Sequence, residues 1–369
     1  MKKSMKIRLL PTKEQEEKML KTIGCARFAW NWALNRWNET HKEGKPCLMS
    51  NIRKEFTQLK KQEEYKWLNE VSNKSTDVAM KNLDKAFMKF FNKKANYPKF
   101  KSKRKSKKSF YVRNETLRFK DGKCNIEKIG KVKYKTSYEI PDCKYVCPYC
   151  SYDGKYWYIS FCFEVEENQT TLNNNLIIGI DLGIKELAVC SNGMVFHNIN
   201  KSKKIKKLNK KLDYLNRQLS KKSQINNYNE TNNIIKIKNK IILTNRRIVN
   251  IRKNYIHQTT NKIIKLKPSK IIMEDLDIMK MAKNKHLSKY IYEQCLHEFI
   301  RQIKYKCEYN GIEFIQANRL YPSSKRCSCC GNIKKDLKLS DRVYICDKCG
   351  LEIDRDFNAS INLMNYSKV

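Results

Sequence analysis

Apolar residues follow a helical period over much of the first 95 positions, a two-residue period from about Ser109 to Glu166, and a mixture of the two beyond that. The opening MKIRLL reads as a short strand. Thr12 and Gln15 then stand at the spacing of a capping box. Met19, Ile23, Ala26, Trp30, Ala33 and Trp37 follow at helical intervals, a stripe assigned to core packing over base stacking. Helical patterning resumes in EFTQLKKQEEYKWL and in STDVAMKNLDKAFMKFF. The runs SFYVR, KYKTSYEI and KYWYISFCFEV then alternate as strands do, and Asp153-Gly154 marks a hairpin turn before the last of them. The first strand is therefore expected to join these in one β domain, with the helices as an insertion.

The polar stretch EENQTTLNNN breaks this pattern and places a boundary near residues 167–175. Beyond it, IIGID reads as a buried strand, KELAVCS as a second, and Asn192-Gly193 as a type I′ turn into MVF. Ile205, Leu208, Leu212, Leu215 and Leu219 alternate three- and four-residue steps, the seam of a helix. A second helix is predicted from about Asn232 to Leu266, stopping before Pro268. SKIIMED is another buried strand. An amphipathic helix is predicted over 287–307, and Asn310-Gly311 leads into the strand IEFIQA.

Composition narrows the partners. Lys and Arg total 78 against 37 acidic residues, for a formal net charge of +41 in 369 residues. Such an excess repels itself and calls for a polyanion, with nucleic acid ahead of an anionic membrane surface. No apolar run approaches the ~20 residues that span a bilayer, and the N-terminus carries no signal-peptide core. A cytoplasmic protein is expected, without a membrane partner. The basic run NKKANYPKFKSKRKSKKSFYVRN is interleaved with Tyr97, Phe100, Phe110 and Tyr111; a solvated loop is the plainer reading, and aromatics within a chain this basic favour a nucleic-acid contact. Glycine is scarce, with 11 in the chain, which leaves no glycine-rich phosphate loop for a hexokinase-like phosphotransferase, although such enzymes also open on IGIDLG.

Two constellations carry chemistry. Asp181 and Glu274 each lie at the end of an apolar strand, and Asp356 lies in DRDFN near the C-terminus. Strand-end carboxylates face a sheet's ligand edge, and, joined by an acid at the start of the final helix, they would give three ligands for the hard divalent ions that serve phosphodiester cleavage. Singly, each acid is as readily a cap or an ion-pair partner. Asp354 is a close neighbour that could be a simple N-cap of the final helix, and the choice of Asp356 within DRD rests on the family resemblance given below. Asp275 and Asp277 would point elsewhere if the strand of Glu274 continues. The second constellation is Cys327-x-x-Cys330 with Cys346-x-x-Cys349, each pair followed by a glycine, the pattern of a four-thiolate zinc ribbon with Cys329 left over. Disulfides are the competing reading, and an odd total of 15 cysteines without a secretion signal argues against them. Cys143, Cys147 and Cys150 lack a fourth partner and read as ordinary reduced thiols, with a second metal site or a redox pair as the alternative.

In order, IGIDLGIKELAV, IIMEDL, CSCCG…CDKCG and DRDFNASINL resemble the RuvC-like nuclease of the TnpB proteins, encoded by transposons. KIRLLPTKEQEEKM, ARFAWNWALN and YPKFKSKRKS are similar to the same family, so the resemblance spans nearly the whole chain; CPYC at 147–150 departs from it. The resemblance implies an α+β multidomain architecture. An N-terminal wedge β domain (1–10 and 109–170) would carry an inserted helical recognition lobe (11–108). A C-terminal RNase H-like RuvC domain (175–319 and 351–369) would carry an inserted zinc ribbon (320–350). It also implies an RNA-guided double-strand DNA endonuclease, with a guide RNA from the transposon end, double-stranded target DNA, and location at a bacterial or archaeal nucleoid. By the same resemblance Asp181, Glu274 and Asp356 are catalytic ligands for Mg²⁺ or Mn²⁺, and the four cysteines hold structural Zn²⁺. An inactive or accessory DNA-binding regulator and an RNase H-fold transposase are the alternative functions.

Overall fold

The computed structural model describes residues 1–165, 172–338 and 341–366. Part of the expected boundary near 167–175 lies outside them. The chain divides into two units, Met1–Glu166 and Glu167–Val369.

In the first unit, β1 (Lys2–Leu10) is followed by three helices, α1 (Lys13–Lys42), α2 (Met49–Leu59) and α3 (Asn73–Phe91), with a 3₁₀ segment at Glu63–Glu70. Six more strands follow: β2 (Ser109–Tyr111), β3 (Arg118–Lys120), β4 (Lys123–Ile126), β5 (Gly130–Lys135), β6 (Val146–Tyr152) and β7 (Trp157–Glu164). All seven form one sheet in the order β2-β6-β7-β1-β5-β4-β3, so the strand made first sits in the middle, antiparallel to both neighbours. Local signals set much of this. The Thr12–Gln15 capping box is present in full, and Asp153 accepts from the amides of Lys155 and Tyr156 to shape the β6–β7 turn. Trp30 and Trp37 are buried in one apolar cluster that runs from α1 through α3 into the sheet.

Several readings change here, and KYKTSYEI, expected as a strand, is one only as far as Lys135. The helix predicted through EFTQLKKQEEYKWL ends at Leu59 and re-forms as the 3₁₀ segment. VCPYCSY is a strand, and its Cys150 is buried while Cys147 stands exposed at a bulge with φ of 51°. Phe110 is core, and Tyr97 packs edge-on to Phe87 and Phe90; of the four aromatics around the basic run, Phe100 is the one left most open.

The second unit opens with β8 (Asn173–Leu182), β9 (Glu186–Cys190) and β10 (Val195–His197). The helical hairpin α4 (Lys203–Ile225) and α5 (Asn232–Lys265) comes next, then β11 (Pro268–Glu274). Helices α6 (Ile278–Met281), α7 (Ser288–Gln294) and α8 (Leu296–Asn310) lead to β12 (Glu313–Ala317). The chain finishes with the short strands β13 (Val343–Ile345) and β14 (Glu352–Asp354) and the helix α9 (Arg355–Met364). The sheet order is β10-β9-β8-β11-β12, an antiparallel meander followed by two parallel strands, which is the RNase H-like arrangement. The predicted helix over 287–307 is two helices, because Cys295 adopts a left-handed conformation between α7 and α8. The side chain of Gln294, just before the break, donates to the carbonyls of Gly183 and Ile184 and ties α7 to the turn after β8.

Alternation along β8 and β11 decides what faces what. Ile178, Ile180, Leu182, Ile271 and Met273 enter the core shared with α5 and α8. Gly179, Ile272 and Glu274 belong to the opposite register, where Ile272 packs with Leu363 of α9. Helix α9 crosses so closely that a Cβ on Gly179 would meet the Ser360 carbonyl oxygen at 2.0 Å and the Met364 amide nitrogen at 2.4 Å. Only glycine allows this approach.

Candidate active site and metal centre

The register Met273↔Ile180 places Glu274 level with Asp181 on adjacent parallel strands, both on the α9 side of the sheet. Asp356 is the second residue of α9, and Asp354 accepts from the amides of Asp356 and Phe357, which makes it the N-cap. The sheet and α9 thus bring together the three carboxylates that lie far apart in sequence. Asp181 is held well above the ordinary carboxylate range, first by burial and then by the charges of Glu274 and Asp356, with Arg355 opposing. Glu274 is also raised, by burial first and by Asp356, while a hydrogen bond from Ser323 works against the shift. The Arg355 guanidinium lies 3.1 Å from the Asp356 carboxylate. Asp275 and Asp277 are engaged elsewhere, on Arg319 at 2.8 and 3.4 Å. Crowded, desolvated carboxylates with hard oxygen donors fit a divalent cation, which would relieve the repulsion they now share.

Among the described residues, one group of three or more metal-type ligand atoms lies within 4.8 Å of one another, and it is Cys327, Cys330, Cys346 and Cys349. The three carboxylates are more open than that. The two cysteine pairs sit in matching turns. The Cys327 amide donates to Asn332 and the Gly331 amide to Cys327; the Cys346 amide donates to Leu351 and the Gly350 amide to Cys346. Gly331 and Gly350 take φ of 75° and 72°, left-handed values that these turns require. Sulfur separations are 3.6 Å for Cys327–Cys349 and 3.5 Å for Cys330–Cys346. A tetrahedral ion with Zn–S bonds of about 2.3 Å needs edges of about 3.8 Å, so the four sulfurs fit one. The backbone amides of Cys349 and Lys348 lower the Cys346 thiol, while desolvation and hydrogen bonding among the neighbouring thiols push Cys330 and Cys349 up, the mutual influence of four sulfurs held close together. Cys329 lies outside the group, and Cys143, Cys147 and Cys150 form no such cluster among the described residues.

Sequence reading missed Ser323, Arg355, Asn358 and Asn362. The two asparagines carried a usable signal, since they stand four apart, on one face of a helix whose other buried residues are Ala359, Ser360 and Leu363; Ser323 carried none. Basic side chains are concentrated on α4, on α5 and in the 93–108 run. There the Lys101 ammonium lies 3.6 Å from the centre of the Trp30 ring, and burial lowers it to about 8. No helix among the described residues is long and apolar enough to cross a membrane.

Three family profiles match the chain in order. A "Helix-turn-helix domain" matches residues 1–46, here a strand and one long helix; a "Probable transposase" matches 160–285; and a "Cas12f1-like, TNB domain" matches 297–363. The second profile contains Asp181 and Glu274, and the third contains the cysteines and Asp356. The chain is 28% identical to a "Putative RNA-guided DNA endonuclease" of Streptomyces pristinaespiralis, over 98% of this chain and 89% of that one. It is 29% identical to the "Putative RNA-guided DNA endonuclease InsQ" of Escherichia coli K12, over 98% and 91%. Its fold is similar to the protein in a cryo-EM structure of a Cas12f1–sgRNA–target DNA complex, with a TM-score of 0.60 at 15% identity over 99% of both chains. Transposase and Cas12f1-like segments thus lie in order along a chain that is similar over nearly its whole length to proteins named as RNA-guided DNA endonucleases.

Proposed function

We propose that this protein is an RNA-guided DNA endonuclease that cuts both strands at a metal-dependent centre formed by Asp181, Glu274 and Asp356. The observation that carries the reading is the convergence of those three carboxylates, from β8, β11 and α9, on one face of an RNase H-like sheet. Mg²⁺ or Mn²⁺ bound there would supply an activated water and stabilise the leaving oxygen. The chain's own contribution is to hold the carboxylates at fixed positions and in a desolvated setting. Asp181 and Glu274 are fixed by strand pairing, and Asp356 by a helix capped by Asp354.

The names of the two full-length relatives support RNA and DNA as partners, as do the sgRNA and target DNA held by the structurally similar Cas12f1. A net charge of +41 supports a long polyanion, which we take to be a guide RNA from the transposon end. We assign 1–10 and 109–170 to a wedge, 11–108 to a recognition lobe, 175–319 and 351–369 to RuvC and 320–350 to the ribbon. The location follows the substrate, at the nucleoid in the cytoplasm. The protein expressed with its flanking DNA should co-purify with one structured RNA, and RNase treatment before assay should remove Mg²⁺-dependent cleavage of a matching plasmid. Cleavage that survives the loss of RNA would return the protein to transposase or protein-directed nuclease chemistry.

The ribbon cysteines hold Zn²⁺ in a closed, structural site on this reading. Elemental analysis should find about one zinc per chain, and the double variant Cys327→Ser, Cys346→Ser should contain none. Zinc that persists in the double variant, or a second equivalent that depends on Cys147 and Cys150, would overturn the assignment.

A further inference from the structure

The segment between β12 and the first cysteine turn has little regular structure, yet it is tied down at several points. The Asn362 side-chain amide donates to the carbonyls of Ser323 at 2.8 Å and Arg326 at 2.6 Å. The Asn358 amide donates to the same Arg326 carbonyl at 2.7 Å, and its oxygen accepts from the Ser328 backbone N–H at 3.0 Å. Both asparagines and Ser323 are almost fully buried. Buried backbone groups outside helices and sheets need such partners, which accounts for the presence of the two amides. It does not account for where Ser323 points. Its hydroxyl donates to Oε1 of Glu274, the last residue of β11.

The connections therefore form a closed path. Asp356 and the two asparagines lie on one helix. Those asparagines hold the 323–328 segment. That segment holds Glu274 through Ser323, and four residues after Ser323 it supplies Cys327. A strand-terminal glutamate has several rotamers open to it, and this hydroxyl selects one.

Resting on the nuclease reading above, we propose that Ser323 is a positioning residue for the carboxylate centre, and that the Asn358–Asn362 clasp makes the placement of Glu274 relative to Asp356 depend on the filled four-cysteine site. The ribbon's metal is then part of the active-site geometry as well as of the ribbon's own fold. Groups that orient metal ligands from behind change metal affinity by about 10- to 100-fold when removed.

The test is Mn²⁺ affinity of the full-length protein, followed by the EPR signal of free Mn²⁺, with zinc content measured alongside. Asp181→Asn serves as the reference with the site disabled. Ser323→Ala should weaken Mn²⁺ binding about tenfold or more while keeping its zinc, and Ser323→Thr, which keeps the hydroxyl, should restore it. Cys346→Ser should lose zinc and weaken Mn²⁺ binding with all three carboxylates intact. Asn362→Ala, which leaves the cysteines untouched, should weaken it too. Wild-type Mn²⁺ affinity in Ser323→Ala would overturn the positioning role. Wild-type affinity in both zinc-free Cys346→Ser and Asn362→Ala would overturn the coupling. A wild-type protein that binds Mn²⁺ no better than Asp181→Asn would overturn the nuclease reading itself and this inference with it.

Discussion

Asp181→Asn is expected to abolish DNA cleavage and at the same time to raise the melting temperature of the protein in buffer free of Mg²⁺ and Mn²⁺. The two effects share one cause. Asp181 is buried beside Glu274 and Asp356, and its pKa is held well above the ordinary 3.8. A group whose folded pKa exceeds its unfolded value keeps more protons in the folded state. Its contribution to stability is present below the unfolded value and is lost as pH rises through the folded one. At a pH above that window the ionised carboxylate is a cost to the metal-free fold, and a neutral amide of the same shape removes it. Relief of about 1–2 kcal/mol would raise the midpoint by roughly 2–8 °C in a unit of this size. The same change removes a metal ligand. Cleavage should fall on the order of a thousandfold or more, about 4 kcal/mol of transition-state stabilisation, while binding of RNA and DNA persists because the basic surfaces are untouched. Asp356→Ala and Glu274→Ala should also abolish cleavage. Asp354→Asn, which keeps an N-cap, should still cut. Plasmid cleavage and thermal melting decide both halves. Normal cleavage by Asp181→Asn would sink the active-site assignment, and a lowered melting temperature would sink the electrostatic one.

Exchanging the guide should move the cut. With two guides and two target plasmids, each carrying the same short adjacent motif, cleavage should appear in the matched pairs and be absent from the mismatched ones. The physical reason is a division of labour. The backbone charge of a long RNA can neutralise the lysines and arginines of α4, α5 and the 93–108 run, and that attraction carries no sequence information. Sequence must then be read by pairing, where mismatches near the adjacent motif abort binding. Raising the salt concentration should weaken assembly steeply and leave the choice of target unchanged. Equal cleavage of both plasmids with either guide would reject RNA guidance.

The elements read correctly from sequence are those specified by neighbours. The capping box at Thr12 and Gln15, the Asp153-Gly154 turn, the α4 seam and the stop of α5 before Pro268 each depend on residues a few positions apart. The hairpin at Asn192-Gly193 also forms, but only Gly193 takes a positive φ, so its turn is not the expected type I′. The candidate site was visible for a similar reason, since the C-x-x-C turns and the strand-end positions of Asp181 and Glu274 are local patterns, whereas the choice of Asp356 over Asp354 rests on the family resemblance. The failures are non-local. Strands β3, β4 and β6 are short or weakly alternating and owe their form to pairing across the sheet. The helix expected over 287–307 breaks at Cys295 beside Gln294, whose amide reaches carbonyls more than a hundred positions earlier in the chain.

Three properties of this chain are legible without any coordinates: a charge that calls for a polyanion, three acidic motifs in the order of the family it resembles, and four thiols at the spacing of a metal ribbon. Charge, residue chemistry and short spacings survive in any conformation, so no conformation is needed to read them. The folded molecule alone settles which faces of β8 and β11 look toward α9, how closely that helix crosses at Gly179, and that Ser323 holds Glu274 on a segment clasped by Asn358 and Asn362. Those outcomes are set by packing and by buried hydrogen bonds between residues distant in the chain. Their strength comes from the exclusion of water, which begins only when the core has formed.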